Sequence, residues 1–579
     1  MAILELPYEV DPNQEKHGGD PYNCTLYKML PSKMQEQTKQ FLYLLEYLHL
    51  VPVETIGVPE YHEVLSKALG DKESFNLIYP VNGGLFIHIL DDPEGGRAYY
   101  VAVEPKFSQG VNTDEVLRRV EIELLDYAME FEGTETAEDQ RQVLVGILDR
   151  LFSKYSFDDS GMKGLIKKLI RKTAVKPIVG NDADLQVLKY MMTRDKIGMG
   201  ILEPLILDTN IEDISCSGLG SLFIEHKIFD SLRTAAAFEN MAELDEFVLR
   251  LSERIKKPVT FRNPIVDASL PDGSRINIVY GEDVSKRGSN FTIRKFAEQP
   301  MSIVDLLKFG SLDYMMASYM SMMIGAGMNV FVSGETASGK TTLLNALNCF
   351  IAPDAKIVSI EDTAELQVPH PNWTQELTRQ PKPGEDGSGV GMFDLLKAAL
   401  RQRPNEILIG EIRGEEGLIA FGAMQTGHAV MATFHASTVE KLIQRLTGSP
   451  INVPKTYVEN LNVIVIQTAV ELPNGKLGRR AVSISEIIGY DSANDAFSFV
   501  EVFHWDPVHD KFEFLGDMNS FLLEERIAPM KGIPPNKKRQ IYAMLKRRAR
   551  ILEKLSQTDK TDFIEFYKVI AKAQRQGIF

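Results

Sequence analysis

The chain has few cysteines and none of the long apolar runs that cross membranes. Only Cys24, Cys216 and Cys349 are cysteines among 579 residues, and they form no C-x-x-C pair. This usage argues against a zinc site and fits a reducing, cytosolic setting. The sequence has no run of about 18 apolar residues, and its N-terminus lacks a basic stretch followed by an apolar core. We therefore expect neither a transmembrane helix nor a signal peptide.

Positive charge is also in short supply. Lys and Arg number 64 against 80 Asp and Glu, so the formal net charge is −16 at pH 7. A general nucleic-acid binder depends on neutralising phosphates, so this balance argues against that class but leaves room for a locally basic channel. The length predicts roughly two to four domains.

The strongest motif is Gly334–Thr341, with the sequence GETASGKT, which fits the phosphate-binding pattern G-x-x-x-x-G-K-[ST]. The apolar stretch 329–333 before it predicts a short buried strand, and 342–350 after it predicts a helix. A chance match is the alternative, and the strand and helix on either side argue against it. The segment therefore predicts a nucleotide-binding P-loop.

Each conspicuous residue of this loop has a physical role. Gly334 and Gly339 let the backbone curl so that its N–H groups face the phosphates, and the helix that follows points its positive end at the same anion. Lys340 can reach the outer phosphates, and the Thr341 hydroxyl can ligate magnesium. The other residues predicted to line the nucleotide are Glu335, Thr336, Ala337, Ser338 and Thr342.

Two further apolar strands each lead into acidic residues. The stretch 356–360 precedes Glu361, with Asp362 and Glu365 as alternatives, and we expect this acid to polarise the attacking water because strand ends face the ligand crevice. The stretch 406–410 precedes Glu411, a Walker B arrangement in which the carboxylate holds magnesium or orients the nucleophile. Arg413 could stabilise charge nearby. An acidic surface loop and a structural ion pair remain the alternatives.

Histidines and upstream arginines complete the candidate site. His428 and His435 flank the apolar strand 429–434, and we expect at least one of them to meet the phosphates, although a packed core histidine is the ordinary alternative. Arg275 and Arg294 each lie on a predicted strand before the P-loop. They are surface ion-pair residues or arginine fingers that reach the phosphates.

Four ordered blocks resemble the secretion ATPase superfamily, the motors of type II and type IV secretion and of type IV pili. They are the P-loop, the acidic box at 360–365, the strand and Arg-Gly at 406–414, and the histidine box at 426–438. The stretch 201–215 resembles the opening of the family's second N-terminal domain. The archaeal branch is the most similar, through 290–296 and 505–507, and the four-cysteine zinc insertion of bacterial type II motors is absent.

The resemblance covers about 180–505 and implies an α/β fold with a RecA-like P-loop ATPase domain. We expect four regions: an N-terminal region at 1–170 that is a candidate for partner docking, a small α/β domain at 171–300 with the two arginines, the ATPase domain at 301–500, and strands and helices at 501–579 packed on it. The basic stretch 161–176 is predicted as a solvated amphipathic helix, with contact to an acidic membrane surface or partner as the alternative.

By resemblance, the cofactors are ATP and Mg²⁺, with Thr341 and Glu411 at the metal. Glu361 matches the general base, Glu411 the Walker B acid, His428 and His435 the histidine box, and Arg275 and Arg294 the arginines of the N-terminal domain. The family implies a homohexamer on the cytoplasmic face of the membrane, with a polytopic membrane platform protein as partner and no nucleic acid. The resemblance implies that the motor powers the assembly of an archaellum or a pilus, or secretion. A conjugation-type ATPase that moves nucleic acid is the alternative, and a non-catalytic ring subunit is disfavoured because Lys340, Glu361 and Glu411 are all present.

The arginine-finger hypothesis predicts the behaviour of one variant. Arg294→Ala should lower ATP turnover while the folded protein still binds ATP, because a finger neutralises charge that develops in the transition state. Turnover and equilibrium ATP binding, measured on the same preparation, separate these effects. Unchanged turnover would refute the assignment.

Overall fold

The computed structural model describes residues 3–4, 6–8, 21–66, 69–70, 72–107, 111–134, 136–155, 182–270, 272–296, 300–379, 389–473, 475, 477–558 and 561–579. They form two compact units, Met1–Ala297 and Glu298–Phe579. The basic stretch 161–176 lies outside the described residues, so its predicted helix is untested. The four-region division of the chain likewise stays a prediction.

The first unit is built on one sheet. Its strands are β1 (Ile3–Leu4), β2 (Glu60–Tyr61), β3 (Asn76–Val81), β4 (Leu85–Leu90), β5 (Tyr99–Val103), β6 (Ile211–Cys216), β7 (Gly220–His226), β8 (Asp230–Phe238), β9 (Ile265–Ser269), β10 (Arg275–Val279) and β11 (Asn290–Arg294). Their order is β2-β3-β4-β5-β8-β7-β6-β11-β10-β9, and β1 also pairs with β8. Strands from the first 103 residues therefore continue the sheet formed after residue 210.

The first unit also contains nine described α-helices, three of which (Thr113–Leu124, Ala137–Tyr155 and Asp182–Lys196) share a core of their own. Their bounds are Thr25–Met29, Ser32–Gln40, Leu42–Leu50, Val53–Ile56, Thr113–Leu124, Ala137–Tyr155, Asp182–Lys196, Glu203–Leu207 and Met241–Arg254. The helix Leu42–Leu50 is buried against the sheet, because Leu44, Leu45 and Leu48 are almost wholly buried in a core shared with Phe86 of β4.

The second unit contains a mostly parallel sheet. Its strands are β12 (Val330–Ser333), β13 (Ile357–Glu361), β14 (Trp373–Leu377), β15 (Glu406–Ile409), β16 (Ala429–Phe434), β17 (Val463–Glu471), β18 (Leu477–Asp491), β19 (Ala496–Asp506) and β20 (Lys511–Phe514). The order is β14-β13-β15-β16-β12-β17-β18-β19-β20. The strands from β14 to β17 pair in parallel, and β18 to β20 add antiparallel strands at one end.

Both faces of this sheet are covered by helices. Val330 and Val332 of β12 join one core and Phe331 joins the other, because successive side chains of a strand point to opposite faces. The α-helices of the unit are Ile303–Lys308, Tyr314–Ile324, Lys340–Leu347, Met392–Arg401, Glu416–Gln425, Val439–Thr447, Lys455–Val458, Ala528–Met530, Ile541–Ser556 and Phe563–Arg575, with a π-helical turn at Leu522–Ile527. The predicted α/β class is thereby confirmed.

Two element boundaries differ from the sequence-based expectation. The helix after the P-loop begins at Lys340 rather than at residue 342, and Glu361 is the last residue of β13 rather than the first residue after it. Both ends are set by hydrogen bonds that apolar periodicity does not encode. Among the described helices, none is long and apolar enough to span a membrane.

Glu406 is a buried acid at the start of β15. Its side chain is 4% exposed, and its Oε1 has no hydrogen-bond partner among the described residues. Burial raises the pKa of this carboxyl well above its usual range. The folded protein therefore holds the proton more tightly than the unfolded chain does. Its free energy of unfolding is highest below the unfolded pKa of about 4.3 and falls as the pH rises toward the folded pKa.

Glu406→Gln tests this linkage, because the amide has the same size and does not ionise. We expect the variant to match the wild type near pH 4.5 and to become the more stable protein as the pH rises. Urea midpoints at pH 5 and pH 8 measure the difference. Glu415→Gln, at an exposed acid of the same unit, is the matched control and should show no such trend. A Glu406→Gln protein that is less stable than the wild type at pH 8 would contradict the account.

Candidate nucleotide-binding site

The candidate residues of the second unit gather at one edge of its parallel sheet. Strands β12, β13, β15 and β16 run in the same direction. Their carboxyl ends lead into or carry Gly334, Glu361, Glu411 and His435, respectively. In α/β sheets this edge is where ligands bind. The fold therefore unites four segments that are far apart in sequence.

The loop between β12 and the following helix is tightly curled. Ala337 and Gly339 have left-handed backbone conformations, with φ of +60° and +88°. A Cβ atom added to Gly334 would lie 1.9 Å from the carbonyl oxygen of Gln467, so only glycine fits there. These constraints produce the turn that points backbone N–H groups into a concave anion site.

The Lys340 side chain lies along the loop that it follows. Its Nζ donates to the Glu335 carbonyl at 2.8 Å, and the Ser338 hydroxyl donates to the same oxygen at 2.8 Å. Thr341 and Thr342 are half-buried in the first turn of the helix. The ammonium, the threonine hydroxyl and the positive helix end thus share one small region.

Glu361 is almost wholly buried and holds the loop that follows β13. Its Oε1 accepts from the backbone N–H groups of Glu365 and Leu366 at 2.8 and 2.7 Å. Its Oε2 accepts from Gln375 Nε2 of β14 at 2.9 Å. Burial raises the pKa of the carboxyl, and these three hydrogen bonds partly offset that shift. A carboxylate offers about four acceptor positions, so one remains for a water molecule.

Glu411 connects the histidine box to Arg413. Its Oε2 accepts from Arg413 at 2.5 Å, and its Oε1 lies 2.8 Å from His435 Nε2. The second contact lacks hydrogen-bond geometry, so the buried Oε1 has an acceptor position without a partner among the described residues. Arg413 is largely exposed, and the backbone N–H groups of Arg413 and Gly414 are capped by Glu416 at 2.6 and 2.7 Å.

His435 is surrounded by positive charge. Burial lowers its pKa, and the charges of Lys340, Arg413 and Arg445 lower it further, while Glu411 acts in the opposite direction. The imidazole is therefore neutral at pH 7 and carries a hydrogen only on one ring nitrogen. Arg445 donates to the His435 carbonyl and covers the Phe434 ring, which fixes this turn.

His428 lies at the opposite end of β16. Its Nδ1 is 3.1 Å from the Thr426 hydroxyl. The six residues of β16 separate it from His435 by about 20 Å at the usual rise of a strand. The structure therefore brings His435 to the candidate site and does not bring His428 there.

Arg275 and Arg294 lie in the first unit, where they face each other directly on β10 and β11. Asp213 of β6 is opposite Arg294, and the arginine partly offsets the rise in the pKa of Asp213 that burial causes. Like charges directly opposite each other on neighbouring strands are unfavourable. Both arginines are exposed, so they form one positively charged patch of the first unit. Their role as arginine fingers stays a prediction.

Arg479 of β18 is a site residue that the sequence analysis missed. Its Nε donates to the Ala337 carbonyl at 3.1 Å, and its Cδ would lie 3.1 Å from a Cβ added to Gly339. Among the described residues its guanidinium forms no ion pair. The adjacent Arg480 is instead buried and paired with Asp510 through two contacts of 2.7 Å. Successive side chains of a strand point to opposite faces, so the sequence indicated that Arg479 and Arg480 would have different surroundings. The contact of Arg479 with the P-loop could not be predicted from the local sequence.

These residues fit Mg²⁺ and ATP. The curled loop, Lys340 and the helix end supply the donors that phosphates need. The Thr341 hydroxyl and the free acceptor position of Glu411 Oε1 are oxygen ligands of the kind that Mg²⁺ prefers, directly or through water. The class of protein defined by this fold and site is a P-loop nucleotide-binding protein.

Comparison with known proteins agrees with that class. The family model described as Type II/IV secretion system protein matches residues 196–482. An uncharacterized protein of Methanocaldococcus jannaschii, MJ0900, is 41% identical over 554 residues, which cover 95% of this chain and 98% of that protein. The probable conjugal transfer protein TrbB of Sinorhizobium fredii is 30% identical over 286 residues, which cover 48% of this chain and 84% of TrbB.

Among solved structures, the VirB11 ATPase of the Brucella suis type IV secretion system is similar at 22% identity, with a TM-score of 0.25. The match covers 59% of this chain and 95% of VirB11. On the sequence matches, the chain belongs to the type II/IV secretion ATPase superfamily, and its archaeal relatives fit the archaeal branch. The resemblance inferred from the four sequence blocks is confirmed.

Arg479→Ala tests whether this arginine reaches the bound nucleotide. A charged hydrogen bond contributes about 1.5–3 kcal/mol, so its loss should weaken ATP binding by about tenfold or more. Calorimetric titration with ATP measures the effect. Arg547→Ala, at an exposed arginine of the helix Ile541–Ser556, is the control and should bind ATP as the wild type does. Equal affinity of Arg479→Ala and Arg547→Ala would restrict Arg479 to holding the loop.

Proposed function

We propose that the protein is an ATP-hydrolysing motor that powers assembly of a type IV pilus-like filament, an archaellum or a pilus, or secretion through a membrane platform. The observation that carries this proposal is the meeting of the P-loop, Glu361, Glu411 and His435 at one sheet edge. A nucleotide-binding loop alone would support only binding. Two carboxylates and a histidine beside it supply what hydrolysis needs.

In this proposal the chain first holds the nucleotide. The loop N–H groups and Lys340 bind the outer phosphates, and Lys340 exchanges its contact with the Glu335 carbonyl for phosphate oxygens. Thr341 and Glu411 would hold magnesium, which would supply neutralising charge on the phosphates. Arg479, whose guanidinium already lies over the loop, adds positive charge from β18.

Glu361 then orients the attacking water. Its three hydrogen bonds fix the carboxylate, and the remaining acceptor position can take a proton or hydrogen bond from water. Gly410 packs against it, since a Cβ at that position would lie 3.1 Å from Glu361 Cγ. The absence of a side chain there lets the base and the Walker B segment lie close together.

His435 is positioned to report the state of the phosphates. It contacts Glu411 through its ring and Arg445 through its carbonyl. A change in negative charge beside Lys340 alters the electrostatic balance that holds the imidazole neutral. We propose that this contact couples hydrolysis to motion of the strand ends.

The remaining parts of the proposal follow from family membership. They are a homohexamer, a polytopic membrane platform protein as partner, a location on the cytoplasmic face of the membrane, and Arg275 and Arg294 as arginine fingers. A conjugation-type motor is the second candidate, because TrbB is named a probable conjugal transfer protein. DNA should then stimulate turnover with strong salt dependence, whereas the filament motor should show no such effect.

Two variants test the proposed chemistry. Lys340→Ala and Glu411→Gln should each lower magnesium-dependent ATP turnover by about a hundredfold or more, because one removes the phosphate-binding charge and the other removes a charged oxygen at the metal. Phosphate release measures turnover, and light scattering with nucleotide measures the assembly. Glu411→Gln should still assemble toward six subunits, as the family implies.

Matched controls are available nearby. Lys308→Ala and Glu415→Gln make the same chemical changes at exposed residues of the same unit. Both should keep wild-type turnover. Normal turnover in Lys340→Ala would remove the P-loop from the active site and would contradict the proposed function.

A further inference from the structure

A cavity in the second unit lies apart from the P-loop. Its volume is about 260 Å³. It opens between the helices Tyr314–Ile324, Ile541–Ser556 and Phe563–Arg575, and it includes residues 352–354, which follow the P-loop helix and its 3₁₀ turn. The helical path from Lys340 to residue 351 separates it from the nucleotide site by about 16 Å. We call this space the C-terminal cavity, with charged lining residues Asp354, Lys531, Arg548 and Arg575.

Arg548 points into the C-terminal cavity without a counter-charge. Its NH1 donates to the Ser321 hydroxyl at 3.2 Å, and its Cζ lies 4.8 Å from the centre of the Phe579 ring. Among the described residues no carboxylate lies within ion-pair distance of it. Burial lowers the pKa of its guanidinium to about 10, so the group is charged at neutral pH and only partly compensated.

Lys531 is a second cation beside it. Its ammonium also has no ion pair within the described ranges. Burial lowers its pKa, and the charge of Arg548 lowers it further. Arg575 differs from these two residues, because Asp354 pairs with it at 2.6 Å at the rim. The cavity thus holds two cations that repel each other in a protein that is acidic overall.

Gln574 contributes a free acceptor to the same space. Its Nε2 donates to the Phe350 carbonyl at 3.0 Å, which fixes the amide. Its buried Oε1 has no hydrogen-bond partner among the described residues. A ligand that carries both negative charge and a hydroxyl would satisfy Gln574 and the two cations together.

We propose that the C-terminal cavity binds a small phosphate-bearing anion through Lys531 and Arg548. A guanidinium presents parallel N–H donors that match phosphate oxygens, and a lysine adds a mobile point charge. The volume is just below the usual range for small-molecule sites, which limits the ligand to a phosphate group with a short attached segment. A dianion there would remove the repulsion that the cavity otherwise contains.

The direct test is calorimetric titration of the full chain with pyrophosphate. The titration uses the Lys340→Ala background, so that binding at the P-loop is suppressed. Lys531→Gln and Arg548→Gln should each weaken the remaining binding by about tenfold, because each removes a charged hydrogen bond. Lys537→Gln, at an exposed lysine of the 3₁₀ turn Pro535–Gln540, is the matched control. It should bind pyrophosphate as the Lys340→Ala protein does. Binding that is absent, or unaffected by Lys531→Gln, would overturn the proposal.

Thermal unfolding, first without and then with pyrophosphate, tests the same charges independently. Lys531→Gln removes the repulsion with Arg548, so its thermal midpoint without phosphate should equal or exceed that of Lys537→Gln. Added pyrophosphate should raise the midpoint of the wild type and of Lys537→Gln but not that of Lys531→Gln. A Lys531→Gln protein that is destabilised without ligand would show that the lysine already has a structural counter-charge, and would overturn the proposal.

Two binding experiments distinguish a soluble phosphate compound from a lipid headgroup as the ligand of the cavity. Free phosphate compounds should bind in solution, whereas a lipid headgroup should bind as vesicles of phosphatidylglycerol and not as vesicles of phosphatidylcholine. Loss of vesicle co-sedimentation in Lys531→Gln would assign the cavity to a lipid headgroup. Pyrophosphate binding without vesicle binding would assign it to a soluble phosphate. The proposal fails if both arms are negative.

Discussion

The parallel pairing of β13, β15, β16 and β12 is the constraint on which the site depends. Ile360 lies opposite Ile409, Ile409 lies opposite Ala432, and Ser333 lies opposite Phe434. Because these ladders are in step, the strands end at nearly the same height. The P-loop, the carboxylates of Glu361 and Glu411, and His435 are therefore brought close together by the backbone itself. A register slip in one strand would separate the Walker B segment from the loop.

The residues around the P-loop carry an excess of positive charge, although the chain as a whole is acidic. The chain has a formal net charge of −16, yet Lys340, Arg413, Arg445 and Arg479 surround the loop and His435. Glu411 is the acid that touches this group, through Arg413 and His435. The local excess of positive charge attracts phosphates, and the neutral histidine between acid and base residues makes the cluster sensitive to a change in phosphate charge.

Local sequence signals predicted the parts of the site but not all of their distances. The P-loop, Glu361, Glu411 and His435 follow apolar strands, and strand ends in a parallel sheet meet by topology, so their convergence could be expected. His428 was paired with His435 in the same box, but strand length carries it to the other edge. Arg479 escaped notice because it lies 142 positions after Ala337 in the sequence, and the pairing of β17 with β12 and β18 brings the two together. The joining of strands from the first 103 residues to strands after residue 210 in one sheet was likewise a non-local property.

The most direct measurement is the structure of the protein with magnesium and a non-hydrolysable ATP analogue. The account predicts the terminal phosphates against Lys340 and the loop N–H groups, magnesium beside Thr341 and Glu411, and a water held by Glu361. A nucleotide bound elsewhere, or a loop that stays empty at saturating concentration of the analogue, would contradict it.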